Sequence, residues 1–121
     1  MSRAIIHDLG FPSPQLQTIH HRGLGFIYRT DFEWPEYGLI GEYDGAGKYL
    51  KLDRRGTSDP GEAVASEKRR EDYLRKETGY TFARWGTPEL HSPSAIRKLL
   101  IGAGLPLINP AKLPKTSHAP N

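Results

Sequence analysis

The stretch Asp31–Lys48, DFEWPEYGLIGEYDGAGK, decides the fold. It reads as the end of one strand, a tight turn at Trp34-Pro35-Glu36-Tyr37, a second strand and a glycine-loosened loop. Asp31, Glu42, Asp44 and Lys48 stand out in it. Side chains alternate along a strand, so Glu42 and Asp44 share a face with Ile40. Pairing of the two strands as a hairpin sets Asp31 across from Glu42 or beside it. Three carboxylates crowded in this way repel unless a proton or a cation relieves them. Oxygen ligands of this kind suit Mg²⁺ or Mn²⁺.

Outward toward the N-terminus, Leu24 to Trp34 is the most regular strand. Phe26, Tyr28, Thr30 and Phe32 form its expected core face; Ile27, Arg29, Asp31 and Glu33 form a mixed face suited to a polar cleft. Arg22-Gly23 supplies a turn, and Leu16 to His21 a preceding strand. His20 and His21 are neighbours, so in a strand they face opposite sides and cannot chelate one ion together. They read as structural or surface residues. Residues 1–10 read as the last turns of a helix ending at Gly10, with Pro12 and Pro14 barring its continuation.

Toward the C-terminus, Tyr37 to Asp44 is the partner strand. Gly45-Ala46-Gly47 is not followed by the strand-to-helix glycine pattern of a nucleotide-binding loop. Lys48 to Leu52 reads as a short extension, and Asp53 to Gly61 as a polar, turn-rich loop. The main helix is expected over 60–78, with Asp59 as cap, Pro60 at the first position and Gly79 as terminator. Its apolar stripe is thin: Ala63, Val64, Leu74 and part of Tyr73, interrupted by Glu67, Lys68 and Glu71. Such a helix either lines a site or lies mostly in solvent, supported by i,i+4 ion pairs. Tyr80 to Trp85 is the last strand, and Trp34 and Trp85 read as core or rim residues. Thr87-Pro88-Glu89 opens a final helical region that continues through Ser94 to Ala103, burying Ile96, Leu99 and Leu100. The expected organisation is a single domain over 1–105 and a flexible Pro-rich tail over 106–121.

Composition narrows the class. At 121 residues, with 36% hydrophobic and 26% charged residues, the chain has the balance of one globular domain and not of a disordered segment. It has no cysteine, which excludes disulfides, thiol catalysis and zinc–thiolate sites. No apolar run approaches membrane-span length, and no apolar signal segment opens the chain, so the cytoplasm is the expected compartment. The net charge of +3 permits nucleic-acid binding without demanding it. Basic residues cluster at Lys48-Lys51-Arg54-Arg55 and at Lys68-Arg69-Arg70-Arg75-Lys76.

Asp31-x10-Glu42-x-Asp44-Gly45-x-x-Lys48-Tyr49, followed by Glu67-Lys68-Arg69-Arg70-Glu71-Asp72 and Gly79-Tyr80-x-Phe82-x-Arg84-Trp85, resembles the PD-(D/E)XK nuclease superfamily. More narrowly it resembles the Vsr-like domain at the C-terminus of many actinobacterial proteins. The resemblance spans roughly residues 10–90. It implies an α/β fold with a restriction-endonuclease-like mixed sheet of about four strands flanked by helices. It also implies metal-assisted phosphodiester hydrolysis, with Asp31 and Glu42 holding Mg²⁺ or Mn²⁺ and Asp44 as a third ligand. In the usual motif a lysine stands two residues after the glutamate. Asp44 occupies that position here, so the lysine's role passes to Lys48 or Lys68. Nucleic acid, DNA first, would contact Lys48, Lys51, Arg54, Arg55, Arg69 and Arg70.

The glutamate that the family carries on its first helix is missing, as it would be in a fragment or a split gene product. Two rival readings follow. One is a catalytically inactive nuclease-fold module that binds DNA, a protein partner or a second copy of itself. The other is a small interaction protein whose acidic cluster only pairs with the basic helix.

Overall fold

The turn at Pro35 sets the sheet. In the computed structural model, which describes residues 1–23, 25–45 and 60–108, Pro35–Tyr37 form one turn of 3-10 helix closed by Gly38 at φ 59°. That left-handed conformation favours glycine. The turn reverses strand β2 (Phe26–Trp34) into β3 (Leu39–Tyr43), pairing Trp34 with Leu39, Glu33 with Ile40 and Phe32 with Gly41. Strand β1 (Gln15–Gly23) lies antiparallel on the other side of β2. Helix α2 (Pro60–Thr78) then crosses over, and β4 (Thr81–Trp85) pairs parallel to β3. The result is a four-stranded mixed sheet in the order β1-β2-β3-β4. Helix α1 (Ser2–Asp8) precedes it, and α3 (Thr87–Leu90) and α4 (Pro93–Gly102) follow.

The two faces of the sheet are chemically unlike. On one, Phe32, Trp34, Leu39, Ala83 and Trp85 pack with Ile6, Leu9 and Phe11 from the α1 end and with Ile96, Leu100 and Leu105 from the α4 end. Phe32 is stacked on Trp85, with ring centres 5.6 Å apart. Gly41 lies beneath both tryptophans, where a Cβ would meet Trp85 at 2.9 Å and Trp34 at 3.0 Å, so no larger residue fits without a shift. Both indole N–H groups are satisfied, Trp34 by Pro12 O at 2.8 Å and Trp85 by Ser2 Oγ at 3.0 Å. The other face meets α2: the Tyr28 and Tyr73 rings touch, and Arg70 reaches Glu42. Its apolar residues Ile40, Ala63 and Leu74 are buried, but they lie outside the main core cluster.

Three expectations are corrected. First, β2 does not keep one alternation throughout. Tyr28 faces α2, and Thr30 donates to Glu33, whereas Phe32 faces the tryptophans. The faces exchange at Asp31. Opposite it, between the pairs Thr18–Thr30 and Leu16–Phe32, Gln17 adopts φ 50° and is left out of the ladder, whose register is the same on both sides. Second, Val64 does not belong to the buried stripe of α2. It is 53% exposed, and the stripe runs Ala63, Glu67, Arg70, Leu74, at the spacing of one helix face. Third, the last helical region is two helices, broken at His91-Ser92 and restarted by Pro93 at the first turn.

The start of the expected tail is packed. Leu107 lies against the core, and Ile108 N donates to Gly10 O at 2.9 Å. The remainder, 109–121, lies outside the described residues. Among the described residues, no helix is long and apolar enough to cross a membrane.

Candidate functional site

Glu42 lies at the centre of the α2 face of the sheet and is only 1% exposed. Its neighbour across the parallel pair is Arg84, and α2 brings Arg70 over it. Arg70 grips both carboxylate oxygens: Nη1 donates to Oε1 at 3.0 Å, and Nη2 donates to Oε2. Arg70 also donates to Glu67 at 2.8 Å and to the backbone carbonyl of Arg29 at 2.7 Å. Arg84 donates to Glu42 at 3.1 Å, to Glu67 at 3.2 Å and to Glu71 at 2.6 Å. Glu71 in turn holds Arg75 at 2.8 Å. Arg75 and Arg84 both lie over the Phe82 ring, each 5.2 Å from its centre. Three carboxylates thus meet three guanidiniums, and the cluster is neutral. The planar guanidinium fork suits such bidentate pairing, which a lysine could not reproduce.

The charge states follow from these neighbours. Burial pushes the Arg70 guanidinium down, but its hydrogen bond to Glu42 and the attraction of Glu42 and Glu67 more than offset this and leave it above its ordinary value. Arg84 is likewise lowered by burial and raised further by Glu71, Glu42 and Glu67. For Glu71, burial acts upward, yet the hydrogen bonds from Arg84 and Arg75 leave its carboxyl below its ordinary value. A carboxyl with a depressed folded pKa contributes stability above its unfolded value, and that contribution is lost as pH falls through the folded one. The melting temperature is therefore expected to drop on acidification below about pH 4.3. Glu71→Gln is expected to flatten that limb while staying less stable near neutrality; thermal melts over a pH series read both.

The other residues expected at the site are placed as follows. Asp31 is spent on the fold: its Oδ2 accepts from Tyr43 N at 3.0 Å, where the β2–β3 ladder has ended, and does for β3 what a backbone carbonyl would. Asp44 follows β3, its N–H donating to Trp85 O at 2.7 Å. Lys68 does not reach the site; it is 76% exposed and lies 3.7 Å from Asp72. Arg69 is also exposed and pairs with Glu62 at 2.9 Å. Arg70, expected to touch nucleic acid, points inward to Glu42. Glu67 does face the cluster. Lys48, Lys51, Arg54 and Arg55 lie outside the described residues.

The described residues do not fit the Mg²⁺ or Mn²⁺ that the resemblance implies. Both Glu42 oxygens are held by guanidiniums, one Asp31 oxygen is held by a backbone N–H, and among the described residues no three histidines or carboxylates are gathered to hold a metal. Two features escaped the sequence reading. Arg84 and Arg75 complete the cluster. Glu33, 2% exposed, accepts from Thr30 at 2.8 Å and pairs with His20. Arg84 and Glu33 were not visible, because the first joins segments distant in the chain and the second depends on the exchange of faces in β2; Arg75 is the i,i+4 partner of Glu71, a spacing that the sequence does show.

No protein-family model, curated protein or solved structure matches the chain.

Proposed function

We propose that the protein is a nuclease-like module that binds nucleic acid, DNA first, and does not hydrolyse it through a divalent ion. The observation that carries the second half is the closure of Glu42 by Arg70 and Arg84. The first half rests on the motif resemblance and on the cations at the surface. Lys68 and Arg69 project from the outer side of α2 in exposed ion pairs. Such pairs contribute little, so phosphates can replace their carboxylate partners at small cost. The segment joining β3 to α2 adds Lys48, Lys51, Arg54 and Arg55 in sequence. Phosphate neutralisation of this kind gives salt-dependent affinity with little sequence preference.

A second reading, metal-dependent phosphodiester hydrolysis, is favoured by one observation: the Asp31 carboxylate lies against the Glu42–Tyr43 peptide, on the strand next to Glu42.

Fluorescence anisotropy with a labelled DNA duplex, beside a plasmid-nicking assay, separates these readings. Binding is expected in chelator and in Mg²⁺ alike, weakening steeply with salt. Lys68→Glu and Arg69→Glu together are expected to lower the slope of log affinity against log salt by about two, roughly one for each phosphate no longer neutralised. Nicking that needs Mn²⁺ or Mg²⁺ and disappears in Asp31→Asn would establish the second reading. Absence of binding at low salt would leave a protein partner as the ligand class to pursue.

A further inference from the structure

The two terminal nitrogens of Arg70 are met entirely by oxygens: Oε1 and Oε2 of Glu42, Oε2 of Glu67 and the carbonyl of Arg29. Carboxylate and backbone carbonyl oxygens are the donor types that a hard divalent ion prefers. We infer that Arg70 is the resident cation of this nest of oxygens, so that the folded site is complete without a divalent ion. The inference rests on the non-hydrolytic reading of the cluster and not on nucleic-acid binding, so the two fail separately.

Three features of the chain support it. Arg70 lies on the inward stripe of α2 between Ala63, 3% exposed, and Leu74, fully buried, so the helix delivers its guanidinium to one place. The strands have parted where it enters: the β2–β3 ladder ends at Phe32–Gly41, and this leaves the Arg29 carbonyl for Arg70 to satisfy. Finally, Glu42, Glu67 and Glu71 are balanced by Arg70, Arg75 and Arg84, so no net negative charge remains to draw in an ion. Removing the Arg70 side chain reverses all this. The cluster then carries a net charge of −1, and the oxygens of Glu42, Glu67 and Arg29 are left facing a vacated space.

Thermal melts in chelator and in millimolar Mn²⁺ test the inference on the parent, Arg70→Ala, Arg70→Lys and the double variant Arg70→Ala/Glu42→Gln. The parent and Arg70→Lys are expected to melt at the same temperature in both conditions, because a side-chain cation fills the nest. Arg70→Ala is expected to melt lower in chelator and to be raised by several degrees by Mn²⁺, as a ligand that binds only the folded state does. The double variant should lose that rise. If Arg70→Ala is unfolded in chelator, recovery of its circular dichroism on adding Mn²⁺ is the same positive result. The inference is overturned if Mn²⁺ raises the melting temperature of the parent, or if Arg70→Ala gains neither melting temperature nor structure from Mn²⁺.

Discussion

Glu42→Ala is expected to destabilise the protein by about 3–5 kcal/mol, the cost of breaking a buried ion pair from one side. The carboxylate is 1% exposed and joins Arg70 to Arg84, so its removal leaves two largely buried guanidiniums sharing Glu67 and Glu71 and opens a void between them. For a domain of this size the melting temperature should fall on the order of 10–20 °C. The direction matters as much as the size. In a site where carboxylates crowd around an absent cation, deleting one relieves repulsion and leaves the metal-free protein as stable or more so. Urea denaturation in chelator reads the difference, and an unchanged or raised midpoint would sink the description of Glu42 as the hub of an ionic cluster. Replacing Glu42, Glu67, Arg70 and Arg84 together by apolar residues of similar volume is expected to cost less than Glu42→Ala, since Glu71 keeps Arg75 and no charge is then left unpaired.

Trp85→Ala is the second large effect, about 3–5 kcal/mol from reduced burial and the cavity left behind. Trp85 is 2% exposed, lies against Phe32 and covers Gly41. Its indole also fastens the first turn of α1 through Ser2, which is itself buried. Trp85→Phe separates these roles. It keeps most of the ring packing but leaves Ser2 Oγ without its donor, and about 1–3 kcal/mol is expected for that change together with the smaller ring. Chemical denaturation of both variants checks the ranking, and a destabilisation in Trp85→Phe equal to that in Trp85→Ala would refute it.

The sequence announced the elements whose cause is local. Pro60 and Gly79 bracket α2, and its bounds of 60–78 are those expected. Pro35 and Gly38 likewise marked the β2–β3 turn. The helix stripe was drawn too wide, with Val64 beside Ala63 and Lys68 beside Glu67, because so few apolar residues define it that its centre is hard to place. Val64 and Lys68 face solvent, and Arg70, left out of the stripe, points inward. The exchange of faces in β2 had no local signal, since a glutamine at positive φ on a neighbouring strand leaves no mark in the pattern of β2 itself. The carboxylates expected to crowd were Asp31, Glu42 and Asp44, whereas those that share the guanidiniums are Glu42, Glu67 and Glu71, and what relieves them was not legible. The relief comes from Arg70 and Arg84, which are 28 and 42 residues away from Glu42 in sequence.

The parallel pairing of β4 with β3 has a consequence for how the chain finds its register. A parallel strand has no tight turn to fix its alignment, and β4 arrives only after the crossover through α2. Trp85, stacked on Phe32 and covering Gly41, already opposes a slip by one residue. Glu42 adds a second check. A slip by one residue turns Arg84 to the opposite side of the sheet, and a slip by two sets Phe82 or Gly86 beside the carboxylate. Each leaves Glu42 buried with one of its guanidiniums missing, at the energetic cost of an incompletely neutralised charge in a dry interior. Only the alignment of Glu42 with Arg84 closes the sheet with its charge answered, so the ionic cluster favours a single register for the last strand.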